Sequence, residues 1–217
     1  MKVTIIDYGL SNLLSVQRAV QKLGYEPYVT GLAQDVQEAE VLLLPGVGAF
    51  KDGMAGLQRL DLIPVIQAKA AAATPLLGIC LGMQMLFDES TEFGNYKGLG
   101  LIAGKVDLIP SADAEGQRQR VPQVGWNALL PPSGFSFSSP LLASTTPGQE
   151  VYFVHSYESI PANNENRAAD TIYGGRRICA AAGKGLVFGA QFHPEKSGET
   201  GLAILNSFLQ LAFASLK

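Results

Sequence analysis

The segment Leu76-Leu77-Gly78-Ile79-Cys80-Leu81-Gly82-Met83-Gln84 holds the residue best placed to do chemistry in this sequence. An apolar run leads into a cysteine with a glycine two residues to either side, and a helix-like stretch, Leu81–Phe87, follows at once. This is the cysteine form of a nucleophile elbow. A side chain at so sharp a strand-to-helix turn occupies strained backbone, and small neighbours let the chain close around it. The turn would present Cys80 at the carboxyl end of a sheet, where open α/β sheets bind ligands. The positive end of the helix favours the thiolate, the form that attacks, and the Leu81 N–H would point where an oxyanion develops. A lone cysteine is otherwise most often a small buried hydrophobe; the two glycines set Cys80 apart, and Cys179, which lacks them, reads as inert.

A thiol nucleophile needs a neighbouring base, and the base needs a third group to fix its tautomer. The chain offers only His155 and His193. In Phe192-His193-Pro194-Glu195, which follows an apolar run, an extended backbone would turn Phe192 and Pro194 one way and His193 and Glu195 the other. By itself a His-x-Glu is more often a solvated surface pair; beside an elbow it is the pairing a cysteine triad requires from elsewhere in the chain. A third segment, Pro45-Gly46-Val47-Gly48, closes another apolar run. Its backbone N–H groups could meet the oxyanion, since glycines permit the dihedrals this needs; a plain strand-ending turn would read the same way.

The elements that must hold these residues are legible in outline. Val3–Ile6, Pro27–Thr30, Val41–Leu44 and Leu76–Ile79 read as strands, with a polar turn at Asp7–Asn12, a helix through Leu13, Val16, Val20 and Leu23, and a second helix from Asp61 to Thr74. Strands alternating with helices predict a parallel α/β sheet. From Gly98 the pattern changes to short strand-like runs between Gly, Pro, Ser and Asn: Leu101–Ile109, Val124–Leu130, Val151–Tyr157, Thr171–Tyr173, Ile178–Ala181 and Leu186–Phe192. Hairpins are expected at Gly174-Gly175 and Gly183–Gly185, an exposed loop at Ser111–Arg120, and a closing helix through Leu202–Leu216. The expectation is one domain, 1–217: an α/β, flavodoxin-like parallel central sheet flanked by helices, with an antiparallel extension in the second half.

Composition excludes several functions. A net charge of −3 leaves no basic footprint for nucleic acid. Two cysteines are too few for a disulfide framework and point to a reducing compartment. The start of the chain fits no signal peptide, and no run is long enough to span a membrane, so a soluble cytoplasmic protein is expected. Nothing in the pattern asks for a metal or a cofactor.

Taken together, Pro45–Gly48, Gly78–Gln84 and Gln191–Ser197 resemble the triad class (class I) of glutamine amidotransferases across nearly the whole chain. Ile6-Asp7-Tyr8-Gly9 with Asn12, Pro122-Gln123-Val124-Gly125-Trp126-Asn127, Tyr152-Phe153-Val154-His155-Ser156-Tyr157 and Glu195-Lys196-Ser197 narrow the likeness to glutaminase subunits of imidazole glycerol phosphate synthase, from histidine biosynthesis. Gln123 departs from the His more usual at that place in the family pattern, which touches the interface and not the triad. The resemblance implies that Cys80 attacks the glutamine side-chain amide, His193 protonates the departing ammonia and later activates water, and Glu195 holds His193. It further implies oxyanion donors at Val47, Gly48 and Leu81 and glutamine contacts from Gly46, Gln84, Ser156 and Tyr157. Asn12, Trp126 and Lys196 would face a (β/α)₈-barrel cyclase/synthase subunit that consumes the ammonia; His155 is read as structural or interfacial. An amidotransferase serving another pathway, a catalytically silent module and a flavodoxin-like redox sensor remain open beside it.

Overall fold

Runs that are apolar at every residue must be covered on both faces, and here they form the middle of a sheet. The computed structural model describes residues 1–10, 12–132, 134 and 136–216; Ser11, inside the expected Asp7–Asn12 turn, lies outside the described residues. Strands β1 (Lys2–Ile6), β2 (Glu26–Thr30), β3 (Leu42–Gly46) and β4 (Leu76–Cys80) are mutually parallel. They are joined through α1 (Leu13–Lys22), α2 (Ala33–Glu38), and the pair α3 (Phe50–Arg59) and α4 (Leu62–Ala71), while α5 (Leu81–Met85) leaves β4 directly. The second half supplies β5 (Phe87–Ser90), β6 (Tyr96–Lys97), β7 (Ile102–Leu108), β8 (Gln123–Ala128), β9 (Glu150–His155), β10 (Tyr157–Pro161), β11 (Arg167–Tyr173), β12 (Arg176–Lys184) and β13 (Val187–Ala190), and ends in α6 (Gly198–Ala214).

The main sheet has seven strands in the order β11-β12-β13-β4-β3-β1-β2. β13 lies parallel against β4, and β11 and β12 continue antiparallel to it. The parallel part is the flavodoxin-like order, with β13 as its fifth strand. Alternate strand residues feed two cores. Ile5, Leu43, Leu77 and Ile79 pack with Val16 and Val20 of α1 and Ile204, Phe208 and Leu209 of α6. Ile6, Leu42, Leu44 and Leu76 pack with Phe50, Leu57, Ile66 and Leu81 of the helices on the opposite face.

The expected antiparallel extension is real but distributed. Besides β11 and β12, there is a four-stranded sheet, β10-β7-β5-β6, and a separate ribbon of β8 and β9. The expected single strand Val151–Tyr157 breaks at Ser156, where the chain passes from the ribbon to the second sheet; the Ser156 carbonyl accepts from the Ile109 N–H at 2.9 Å. The helix after Cys80 is shorter than Leu81–Phe87, because Phe87 already begins β5. Both expected hairpins form, between β11 and β12 and between β12 and β13. Among the described residues no helix is long and apolar enough to cross a membrane, and no cluster of His, Cys, Asp and Glu could hold a metal ion.

Candidate active site

Three adjacent strands end at one place. Gly46 of β3 is in register with Cys80 of β4, and β13, on the other side of β4, runs out into His193. Cys80 has φ +54° and ψ −110°, a conformation L-residues avoid at a cost of about 1–3 kcal/mol, and no glycine relieves it there. The flanking glycines are required by contact. A Cβ on Gly82 would overlap the Leu44 carbonyl oxygen, and one on Gly78 would lie 2.6 Å from the Gly82 oxygen. The helix can therefore turn back under the strand only with bare backbone at both positions.

His193 precedes a single 3₁₀ turn, Pro194–Lys196, and that turn, not the extended backbone expected from the sequence, brings Glu195 to its side. The His193 Nδ1 to Glu195 Oε1 distance is 2.8 Å, with both side chains almost fully buried. Ser197 ties the turn down. Its Oγ donates to the His193 carbonyl at 2.7 Å and accepts from the Tyr152 N–H at 2.9 Å, and the His193 N–H donates to the Tyr152 carbonyl at 3.1 Å. Burial pushes the imidazole toward neutrality, but the Cys80 thiol and the Glu195 carboxylate outweigh it and raise its proton affinity above the ordinary value. Among the described residues His193 Nε2 has no hydrogen-bond partner. A cysteine proton moving to it would leave a thiolate–imidazolium pair held by Glu195.

A cleft of about 340 Å³ opens over this group, lined by Val47, Gly48, Cys80, Leu81, Gln84, Ser156, Tyr157 and His193, and also by Glu92, Pro122, Val154 and His155. A larger cleft of about 780 Å³ near Arg118 and Arg120 shares only Pro122 with it and contains none of the expected catalytic residues. Gly46, expected to touch substrate, does not line the smaller cleft. It lies behind Val47, and a Cβ there would strike the Tyr8 hydroxyl and come within 3.0 Å of the Leu81 Cβ. The Val47 N–H, expected to face the oxyanion, donates instead to the Leu10 carbonyl at 2.9 Å, so this conformation lacks that donor. Gly48, at φ +102° and with open space where a Cβ would stand, shapes the loop through its backbone alone. The amide nitrogen of Gln84 is already engaged, donating to the Tyr157 carbonyl at 2.9 Å and to Gln191 Oε1 at 3.1 Å.

Three residues at the site, Glu92, Tyr8 and Gln191, carried no assigned role in the sequence, and His155, expected to be structural or interfacial, lies with them. Glu92, 8% exposed, accepts the Phe50 N–H at 2.6 Å and keeps a raised pKa because burial outweighs that bond. His155 gives its Nδ1–H to the Tyr157 carbonyl at 2.8 Å, and burial pushes its pKa down to about 4, leaving a neutral ring whose Nε2 has no partner among the described residues. Tyr8 places a buried hydroxyl, unpartnered among the described residues, beside Gly46. Gln191 donates to the Cys80 sulfur at 3.7 Å. Gln191, Tyr8 and His155 each lie in a quoted segment, Gln191–Ser197, Ile6–Gly9 and Tyr152–Tyr157, whereas Glu92 follows a polar stretch and has no pattern to mark it.

Of the expected interface residues, Lys196 is exposed on the 3₁₀ turn beside Glu195. Asn12 borders a narrow crevice behind His193 and Glu195. Trp126 is 51% exposed and meets Tyr152 edge-on across the ribbon. Val124 and Val154 pair on the same face and are also exposed, which gives the ribbon an apolar outer surface at the mouth of the cleft.

The family model for class-I glutamine amidotransferases matches residues 4–211. The chain is 47% identical over 210 residues to imidazole glycerol phosphate synthase subunit HisH 1 of Legionella pneumophila (strain Lens), covering 96% of this chain and 99% of that one. It is 45% identical over 209 residues to subunit HisH of Geobacillus sp. (strain WCH70), covering 96% of each. Among solved structures, PurLQS from Thermotoga maritima superposes with a TM-score of 0.73 at 21% identity, over 97% of this chain and 98% of that one, and shares the fold. The chain belongs to the class-I glutamine amidotransferases, and within them to the HisH subunits of imidazole glycerol phosphate synthase.

Proposed function

We propose that this chain hydrolyses glutamine to glutamate and ammonia and passes the ammonia to a cyclase subunit, which uses it to form imidazole glycerol phosphate in histidine biosynthesis. The observation that carries the reading is the buried His193–Glu195 pair set against Cys80 at a strained turn. Cys80 gives its proton to His193, and the thiolate attacks the side-chain amide carbon. The resulting oxyanion takes the Leu81 N–H, free as the first residue of α5, and a second N–H from Val47 or Gly48. The imidazolium protonates the nitrogen, ammonia leaves, and a thioester remains. His193 then takes a proton from water, the hydroxide adds to the thioester, and collapse releases glutamate and the thiol. Glu195 holds the imidazolium in both halves. Glu92 would face the α-ammonium of the substrate, with Ser156 and Tyr157 along its backbone side and Gln84 Oε1 as a remaining acceptor.

The partner is read as a (β/α)₈ barrel docked on the apolar ribbon face with Trp126, and on Asn12 and Lys196; the pair works in the cytoplasm. The test is glutamate release from glutamine in the presence of the cyclase subunit. Cys80→Ala and Cys80→Ser should abolish it while partner binding persists. A glutamine-derived chloroketone should label Cys80 and spare Cys179, which is fully buried and whose thiol burial pushes up to about 12. Undiminished turnover in Cys80→Ala would sink the triad.

A further inference from the structure

We propose that Gln191 is a catalytic residue of this glutaminase, its side-chain amide donating a hydrogen bond to the Cys80 sulfur that holds the thiolate in position to attack. The inference rests on Cys80 being the nucleophile. Gln191 is 0% exposed, and its Nε2 lies 3.7 Å from Cys80 Sγ.

The direction of that bond is fixed by a carbonyl two steps away. The Tyr157 carbonyl can only accept, so the amide that meets it at 2.9 Å must be the nitrogen of Gln84. The same nitrogen reaches the Gln191 side chain at 3.1 Å, so Gln191 must present its oxygen to Gln84 and its NH₂ to the sulfur. His155 Nδ1–H, which also donates to the Tyr157 carbonyl, anchors the hub from the other side. Neither amide can flip without losing a buried bond. A leucine would fill the same volume without the cost of desolvating an amide. What the amide adds is a donor aimed at an atom that becomes negative, and a donor to a charged acceptor is about twice as strong as one to a neutral acceptor.

The groups that titrate around Cys80 are His193 with Glu195, Tyr8 beside Gly46, and Glu92, His155 and Tyr157 across the cleft. Variants at Gln191 leave all of them in place. Gln191→Met preserves length and offers Gln84 a weak acceptor, and Gln191→Leu removes both polar atoms. Each is assayed as the complex with the cyclase subunit, with kcat and KM for glutamine and the rate of Cys80 alkylation by iodoacetamide across pH. Expected are a kcat lowered about ten- to hundred-fold with KM within about threefold, and an alkylation curve displaced to higher pH. A folded variant whose kcat and alkylation curve both match the parent overturns the inference, as does one that loses thermal stability alone. Turnover surviving in Cys80→Ala would defeat the nucleophile reading itself; turnover lost in Cys80→Ala but kept in Gln191→Met would defeat only the role of Gln191.

Discussion

At the scale of single residues, the pair of histidines is pulled in opposite directions by its surroundings. His193 has Cys80 and the Glu195 carboxylate beside it and gains proton affinity; His155 has burial, with the charge on His193 adding to it and the Tyr157 carbonyl opposing it, and loses proton affinity. For His155 the folded value of about 4 lies below the ordinary 6.5, so the unfolded chain binds the proton more readily across that interval. Its contribution to stability is complete above pH 6.5 and is lost as pH falls toward 4, by about 2 kcal/mol on reaching pH 5. Thermal melts at pH 7 and pH 5 should show a larger drop for the parent than for His155→Gln. For the other histidine, Glu195→Gln should keep the fold and lower glutamine turnover on the order of 10³-fold, because the ring loses both its orientation and its counter-charge. Turnover unchanged in Glu195→Gln would leave the carboxylate a bystander. Cys80, His193 and Glu195 were legible because their chemistry demands fixed neighbours in the chain. Glu92 and Tyr8 were not, since burial and aim are tertiary facts that leave no mark in spacing.

Elements explain both what the pattern disclosed and what it concealed. β3, β4 and β13 were readable as unbroken apolar runs and β1 as one interrupted at Thr4, while the edge strand β2 stood out only as the short run Pro27–Thr30. α3 was hidden by its two glycines: Gly53 and Gly56 look like breakers, yet a Cβ on Gly56 would lie 2.7 Å from the Tyr8 carbonyl oxygen, so the helix needs bare backbone there in order to pack. The β3 segment carries the second element-scale consequence. The Val47 N–H, proposed as an oxyanion donor, is turned to Leu10, and the loss of one such donor costs roughly 10²–10³ in rate. The isolated chain should therefore be a poor glutaminase, and docking should favour a rotated Gly46–Val47 peptide if the partner contacts the two states differently. Glutamine turnover measured alone, with the cyclase subunit, and with that subunit and its ribulosyl substrate should rise; equal rates in all three remove the gate and leave the triad standing. The ribbon is the expected handle. Trp126 pairs with Tyr152, whose backbone bonds both His193 and Ser197, so the proposed docking face and the proposed base are both tied to β9. Trp126→Ala should weaken the complex by about 2 kcal/mol or more, read as a higher partner concentration needed for half-maximal activation.

For the whole molecule, division of labour makes the chain replaceable by its product. A complex carrying Cys80→Ala should form imidazole glycerol phosphate again when ammonium salts are supplied at raised pH, where free ammonia is plentiful. No rescue, with the cyclase subunit intact, would mean that this chain does more than deliver ammonia. The sheet order has one more consequence, and it concerns how the chain is made. β13 is among the last strands in sequence, yet it lies in the interior of the seven-stranded sheet, against β4. While synthesis proceeds, β4 is an open, wholly apolar edge with Cys80 at its tip and no base beside it, the kind of edge that pairs with other chains. Fragments ending before Val187 should therefore aggregate and show no glutaminase activity, so a nascent chain acquires its capacity to consume glutamine only when the interior of its sheet is closed.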